Sequence, residues 1–178
     1  MRECVVRPED PADHPAIRDV VSRAFDSTAE ADLVEAIRAA PECIPELALV
    51  AELDGTVVGH VMVSLTYLDD GTTRHEIHQL SPLAVAPDHQ RSGVGSALVR
   101  SVLERSRNAG AEFVILEGDP RYYSRFGFEP CAAYDIHIDL PDWAPPEAAQ
   151  ICLLSKERPS VRGHVVYPES FDTVTQHR

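Results

Sequence analysis

Between Leu83 and Leu98 the chain reads Leu-Ala-Val-Ala-Pro-Asp-His-Gln-Arg-Ser-Gly-Val-Gly-Ser-Ala-Leu: an apolar strand end, a polar turn and a helix start. Residues of these types at this spacing suit a phosphate. Gly93 and Gly95 leave out the Cβ atoms that would hold a ligand away from the backbone. The first amides of the helix have no intrahelical acceptor, and together with the positive end of the helix dipole they favour a polyanion. Two other phosphate motifs do not fit. The Gly-Lys-Ser/Thr of a Walker loop is missing, and Leu98 stands where the dinucleotide fingerprint needs a small residue. The seven residues between Val85 and Gly93 are also too many for a Rossmann strand-to-helix turn.

About thirty residues downstream, Gly118-Asp119-Pro120-Arg121-Tyr122-Tyr123-Ser124-Arg125-Phe126-Gly127-Phe128 places a tyrosine four residues before a Gly-Phe pair. Gln-x-x-Gly-x-Gly after Leu-x-Val-x-Pro, followed in order by this tyrosine motif, resembles the GCN5-related N-acetyltransferase (GNAT) family, most closely a branch of predicted acetyltransferases. The resemblance covers most of residues 2–139 and fades after Trp143.

The resemblance implies acetyl-CoA as co-substrate. Gln90, Arg91, Ser92, Gly93, Val94, Gly95 and Ser96 fall on the pyrophosphate loop, and the edge formed by Leu83, Ala84 and Val85 on the strand that pairs with the pantetheine amides. An amide of Ala84 or Val85 would face the thioester oxygen and stabilise the charge developing there. Tyr123 would lie near the departing sulfur. A tyrosine of pKa ~10 protonating a thiolate of pKa ~8.5 works uphill by about 2 kcal/mol, so a hydrogen bond with late transfer suits it better. Tyr122 reads as the more structural of the pair.

Holding both reactants in place can replace a covalent acyl-enzyme; Cys131, the nominal nucleophile, has no paired histidine in sequence. A base for the amine is harder to find. The position where some relatives carry a basic glutamate falls on Gln79, which cannot serve. Glu76 and His78 share a strand face with each other by alternation and are the catalytic candidates. The acceptor reads as an amine of a small molecule or peptide. A CoA-binding regulatory module without turnover and a transferase of longer acyl groups are the alternative readings.

Elements that position these residues follow from periodicity. Cys4–Val6 reads as a strand, and Ile17, Val20, Val21, Ala24 and Phe25 as the apolar face of a helix; Leu33, Val34 and Ile37 mark a second helix. Strands are predicted over Glu46–Leu53 and Thr56–Leu68, joined at Asp54-Gly55, and over Arg74–Val85. A helix from Gly93 to about Asn108 is closed by Gly110; Phe113–Leu116 is a short strand and Pro120 starts the helix of Tyr123. Asp135–Leu140 and Gln150–Leu154 read as strands, His164–Tyr167 is strand-like, and Pro168–Arg178 is a docked helix or a frayed tail. The order β-α-α-β-β-β-α-β-α-β-β is α/β: a mixed, strongly twisted central sheet flanked by helices, the acyl-CoA N-acyltransferase fold that the resemblance implies. Residues 1–178 read as a single domain, with no repeat or linker.

A formal net charge of −13 opposes nucleic-acid and anionic-membrane binding. Residues 90–125 differ: six arginines against four carboxylates give +2 and leave −15 for the remainder. That split suits an anionic cofactor and a cationic amine arriving from different sides. Arg91 is the ligand candidate, whereas Arg105 and Arg107 read as solvated helix surface. No apolar run spans a bilayer and no signal h-region opens the chain, so a cytoplasmic location is expected. Four widely spaced cysteines and eight histidines show no metal-ligand spacing, so no metal is expected. Homodimerisation is left open.

Overall fold

The computed structural model describes residues 3–175. The N-terminal half runs β1 (Cys4–Pro8), α1 (His14–Phe25), α2 (Ala29–Ala39), β2 (Cys43–Leu53), β3 (Thr56–Asp69) and β4 (Arg74–Val85). It continues through α3 (Val94–Asn108), β5 (Phe113–Glu117), α4 (Pro120–Tyr123), β6 (Phe128–Pro130), β7 (Ile136–His137), β8 (Ala149–Leu153), β9 (Gly163–Val166) and α5 (Asp172–Thr175). The strands form one mixed sheet in the order β1-β2-β3-β4-β5-β8-β6, with β9 paired to β3 and β7. Asp54 and Gly55 both adopt positive φ, 50° and 79°, the backbone that a two-residue hairpin turn between twisted strands requires.

Helix α3 covers one sheet face: Leu98, Val99 and Val102 pack on Leu49, Val61, Val63, Val114 and Leu116. On the other face Ile17, Val20, Val21, Leu33, Val34 and Ile37 of α1 and α2 meet Val50, Met62 and Ala84. That face continues over Ile77, Ile115, Ile136, Ile151 and Val165. Phe25, expected in the core, is 40 % exposed because α1 ends on it and the chain turns away at Asp26 (φ 51°). Arg107 does more than solvate α3, since its Nε donates to the Leu154 carbonyl at 2.9 Å.

The strand predicted over Asp135–Leu140 shrinks to Ile136–His137. Its alternation survives in the burial of Ile136 and Ile138, but its ladder with β9 is confined to Ile136–Gly163 and His137–His164. β6, which was not predicted, pairs with β8. Within Pro168–Arg178, the residues up to Thr175 form a 3-10 turn and α5, docked by the buried Phe171, while residues 176–178 lie outside the described part.

Two irregularities in β4 shape the centre of the sheet. β4 and β5 pair in parallel only at His78–Val114 and Gln79–Ile115, and beyond that point the strands part. One extra β4 residue is accommodated where Val61 pairs with Leu83 and Val63 with Leu80, leaving Ser81 and Pro82 opposite Met62. The bulge reverses the alternation. His78 and Leu80 face α3 before it, and Leu83 and Val85 face α3 after it.

Candidate active site

The opening between β4 and β5 exposes the backbone edge of Leu83–Val85. Ala86 donates its amide to the Val58 carbonyl of β3 at 2.8 Å. Strand alternation turns the Ala84 amide toward β3 as well, opposite His60. Polar groups of Leu83 and Val85 therefore point into the opening, which corrects the expectation that Ala84 could supply the oxyanion donor. The Val85 carbonyl accepts from Gln90 Nε2 at 3.1 Å, so the Gln90 side chain ties the loop to this edge.

The loop continues into α3 with its amides available. Arg91 adopts φ 59° and Gly93 φ 92°, and the Ser92 hydroxyl donates to the His89 carbonyl. The first intrahelical bond runs from the Ala97 amide to the Gly93 carbonyl at 3.0 Å, and no side chain caps the helix. The amides of Val94, Gly95 and Ser96 thus lie ahead of the helical ladder, at the positive end of the dipole. At Gly93 an added Cβ would meet nothing within 4 Å, so the space beside it is open to a ligand. At Gly95 an added Cβ would lie 2.5 Å from the Tyr122 hydroxyl. This cradle fits a pyrophosphate, and the free edge of β4 continues from it.

Tyr122 and Tyr123 have different surroundings. The ring of Tyr122 sits under Arg125, whose Cζ is 4.7 Å from its centroid, and its hydroxyl props the first turn of α3. Tyr123 packs edge-on against Phe128, with centroids 5.6 Å apart, and over Gly118, on the α3 side of the opening. Burial pushes its hydroxyl above the usual tyrosine range, and neighbouring Tyr122 adds to the shift. The group therefore keeps its proton at neutral pH. Burial also pushes the Cys131 thiol up to about 12, which leaves that residue without the thiolate a nucleophile needs.

Glu76 and His78 are not brought to the opening. Glu76 pairs with Tyr67 on the far side of the β4–β5 contact, and Glu76 and His78 line a cleft with Ala109–Phe113 at the other end of β5. Glu76 precedes Ala84 by eight positions in β4, roughly 26 Å of extended strand. Burial lowers the His78 imidazole below its ordinary value. Alternation places these two residues on one face, the α3 side, but they stand at the wrong end of the strand to meet Leu83 and Val85.

Two residues to which the sequence reading assigns no role, Glu117 and Tyr167, lie at the opening beside Gln79, which cannot serve as a base. Gln79 and Glu117 face the α1/α2 side and border a cavity of about 70 Å³ together with Ser81, Tyr167 and Phe171. Tyr167 donates its hydroxyl to Glu117 Oε2. Glu117 also borders a second cleft of about 440 Å³ lined by Leu140, Pro141, Trp143 and Ala148. The sequence signal for Glu117 is a carboxylate ending the otherwise apolar run Phe113-Val114-Ile115-Leu116.

Residues 14–128 match the model of the acetyltransferase (GNAT) family. An Escherichia coli protein described as the uncharacterized N-acetyltransferase YhbS is 34% identical over 170 residues, covering 94% of this chain and 98% of its own. YjhQ, an uncharacterized N-acetyltransferase from the same organism, is 39% identical over 123 residues, 69% of this chain and 68% of its own. Among solved structures, E. coli YhbS in complex with CoA superposes with a TM-score of 0.87 at 32% identity, covering 97% of this chain and 93% of that one. A GNAT family acetyltransferase from Brucella melitensis in complex with acetyl-CoA gives 0.77 at 32% identity, covering 97% and 100%. With its mixed sheet parting at β4 and β5 and its uncapped glycine loop at α3, the chain belongs to the GNAT family of N-acetyltransferases.

Proposed function

We propose that the protein moves the acetyl group of acetyl-CoA by direct attack to a primary amine of a small molecule or peptide. As in its family, acetyl-CoA is the co-substrate and supplies the activated thioester. The observation that carries the reading is the continuity of the free β4 edge at Leu83 and Val85 with the uncapped start of α3. The amides of residues 91–96 hold the pyrophosphate, and Arg91 adds charge beside it. The Leu83 and Val85 backbone aligns the pantetheine as an added strand, and an amide there stabilises negative charge on the acyl oxygen. Tyr123, protonated and on the same side as α3, donates a hydrogen bond to the departing sulfur. Cys131, buried with its thiol proton retained, supports transfer without an acyl-enzyme.

The test is incubation of the protein and acetyl-CoA with a panel of primary amines, following free thiol and identifying the product by mass spectrometry. An N-acetylated amine formed in step with thiol release supports the reading. Acetyl-cysteine on the protein, chemically competent to pass its acetyl group to the amine, would refute direct attack.

A further inference from the structure

At the point where β4 and β5 part, the sheet carries polar groups on the face turned away from α3. Gln79 is 3 % exposed, and its Oε1 has no hydrogen-bond partner although it borders the small cavity between the strands. Glu117 borders the same cavity from β5, and Tyr167, stacked on Phe171 at 5.2 Å between ring centroids, holds its carboxylate from above. Tyr123 lies on the opposite face of the sheet. An unpaired buried acceptor beside a carboxylate calls for a ligand with several N–H donors, and a protonated amine has three.

The second cleft says what the amine is attached to. It meets the first at Glu117, and its wall is Leu140, Pro141, Trp143 and Ala148. Trp143 is 80 % exposed, a large apolar ring kept in water at the mouth of a cleft. Trp faces favour apolar and aromatic bodies and also cations.

We propose that Glu117 is the base that takes the proton from the acceptor ammonium, that Tyr167 positions it, and that the acceptor is a primary amine on an apolar or aromatic body lying against Trp143. This rests on the acetyl-transfer reading above. At pH 7 only about one alkylamine molecule in two thousand is unprotonated, so a carboxylate at the entry of the opening has a defined task. The ammonium gives one proton to Glu117, and the freed lone pair forms the C–N bond. The C–S bond breaks with its electron pair going to sulfur. The second proton lost by nitrogen reaches that sulfur through the Tyr123 hydroxyl, leaving an amide and a thiol, and Glu117 returns its proton to water. The charged and titratable groups sharing the two cavities with Glu117 are Tyr167, Asp119 and Arg121, the last two paired with each other at 3.1 Å.

The experiment uses the full chain with 2-phenylethylamine as the apolar probe and ethanolamine as the polar one. Trp143 is the only tryptophan, so its emission reports amine binding independently of turnover. The expected results are saturable quenching by 2-phenylethylamine, a kcat/KM at least about 10-fold above that for ethanolamine, and collapse of that ratio in Trp143→Ala. Glu117→Gln is expected to lower kcat by about 10²-fold at pH 7, with the deficit narrowing as pH rises toward the pKa of the amine, and to keep its affinity for acetyl-CoA. Tyr167→Phe removes a hydrogen bond to the carboxylate and is expected to move the acidic limb of the kcat/KM profile upward in pH, which a merely structural tyrosine would not do. Wild-type turnover in Glu117→Gln at pH 7 would overturn the assignment of the base, and equal rates for the two amines would overturn the substrate class. Failure of the wild-type protein to acetylate any amine would instead strike at the acetyl-transfer reading, and the emission titration would still decide whether the cleft takes the apolar amine.

Discussion

Glu9 Oε2 lies 2.8 Å from Nε2 of His60, a histidine with no solvent exposure. Arg38 closes on the same carboxylate from α2 at 2.7 Å, and His60 stands opposite Ala84, so the cluster braces the back of the strand that presents Leu83 and Val85. Burial alone would raise the Glu9 carboxyl, but hydrogen bonds from His60 and Arg38 outweigh it and hold it down at about 2. Burial keeps the His60 imidazole below its ordinary value, and the Glu9 carboxylate opposes this only in part.

Both shifts carry the same sign. A depressed Glu9 contributes stability that is present above the ordinary carboxyl value of 4.5 and is lost as pH falls toward 2. A depressed His60 likewise stabilises above 6.5 and loses its contribution on acidification below that. Stability from denaturant melts is therefore expected to decline on acidification below pH 6.5 and more steeply below 4.5. Glu9→Gln, which leaves the part-buried Arg38 without its counter-charge, is expected to cost about 2 kcal/mol at neutral pH and to flatten the lower part of that decline. A profile as steep in the variant as in the wild type would contradict the account.

Tyr123→Phe removes one hydroxyl and keeps the ring contacts with Phe126 and Phe128. Melting temperature and acetyl-CoA affinity are expected to hold while kcat falls about 10²-fold. Because a thiolate leaves more easily unaided at high pH, the deficit should shrink there. A lower melting temperature with kcat intact would assign the residue to the core instead.

Gly93 has φ 92° and open space around its Cα. Gly93→Val is expected to cost about 1–2 kcal/mol of stability from the left-handed backbone, yet the variant should still fold. Its β-branched side chain would occupy the space beside the loop amides, so calorimetry should find acetyl-CoA binding lost. Unchanged affinity in a folded variant would remove the loop from the binding site.

Gly163 meets a harder limit. Its φ is 139°, and an added Cβ would lie 2.0 Å from the Asp69 carbonyl oxygen, where β9 joins β3. Backbone cannot yield as a side-chain end can, so Gly163→Ala is expected to destabilise by about 4 kcal/mol. Since β9 leads directly into Tyr167, turnover per folded molecule should fall as well, measured on the soluble fraction alongside a thermal melt.

Local patterns carried most of the architecture. Alternation gave β3 and β4 their extent, Asp54-Gly55 gave their hairpin neighbour its turn, and the glycines of residues 93 and 95 marked the start of α3. These features depend on residues close in sequence. The site depended on those that are not. Glu76 and His78 lie on β4 as read, but the point where β4 leaves β5 is set by pairing with Val114 and Ile115, more than thirty residues away. Ala84 looked equivalent to Val85 because the direction of an amide follows from the partner strand. Tyr167 meets Glu117 across a separation of 50 residues, a contact no spacing rule reports.

The bulge at Ser81 and Pro82 makes β4 behave like a message read in two frames. Upstream, odd positions such as Gln79 open onto the face where the amine is proposed to enter; downstream, odd positions such as Val85 turn their side chains to α3. One supernumerary residue thus lets a single strand serve both reactants from opposite faces. Deleting Ser81 would restore the frame and leave composition almost untouched, yet it would exchange the inward and outward residues of everything from Leu83 to the loop. Evolution can lengthen the β3–β4 turn at Gly71 without consequence for chemistry, whereas the same single-residue change ten positions later, at Ser81, would be a frameshift in three dimensions.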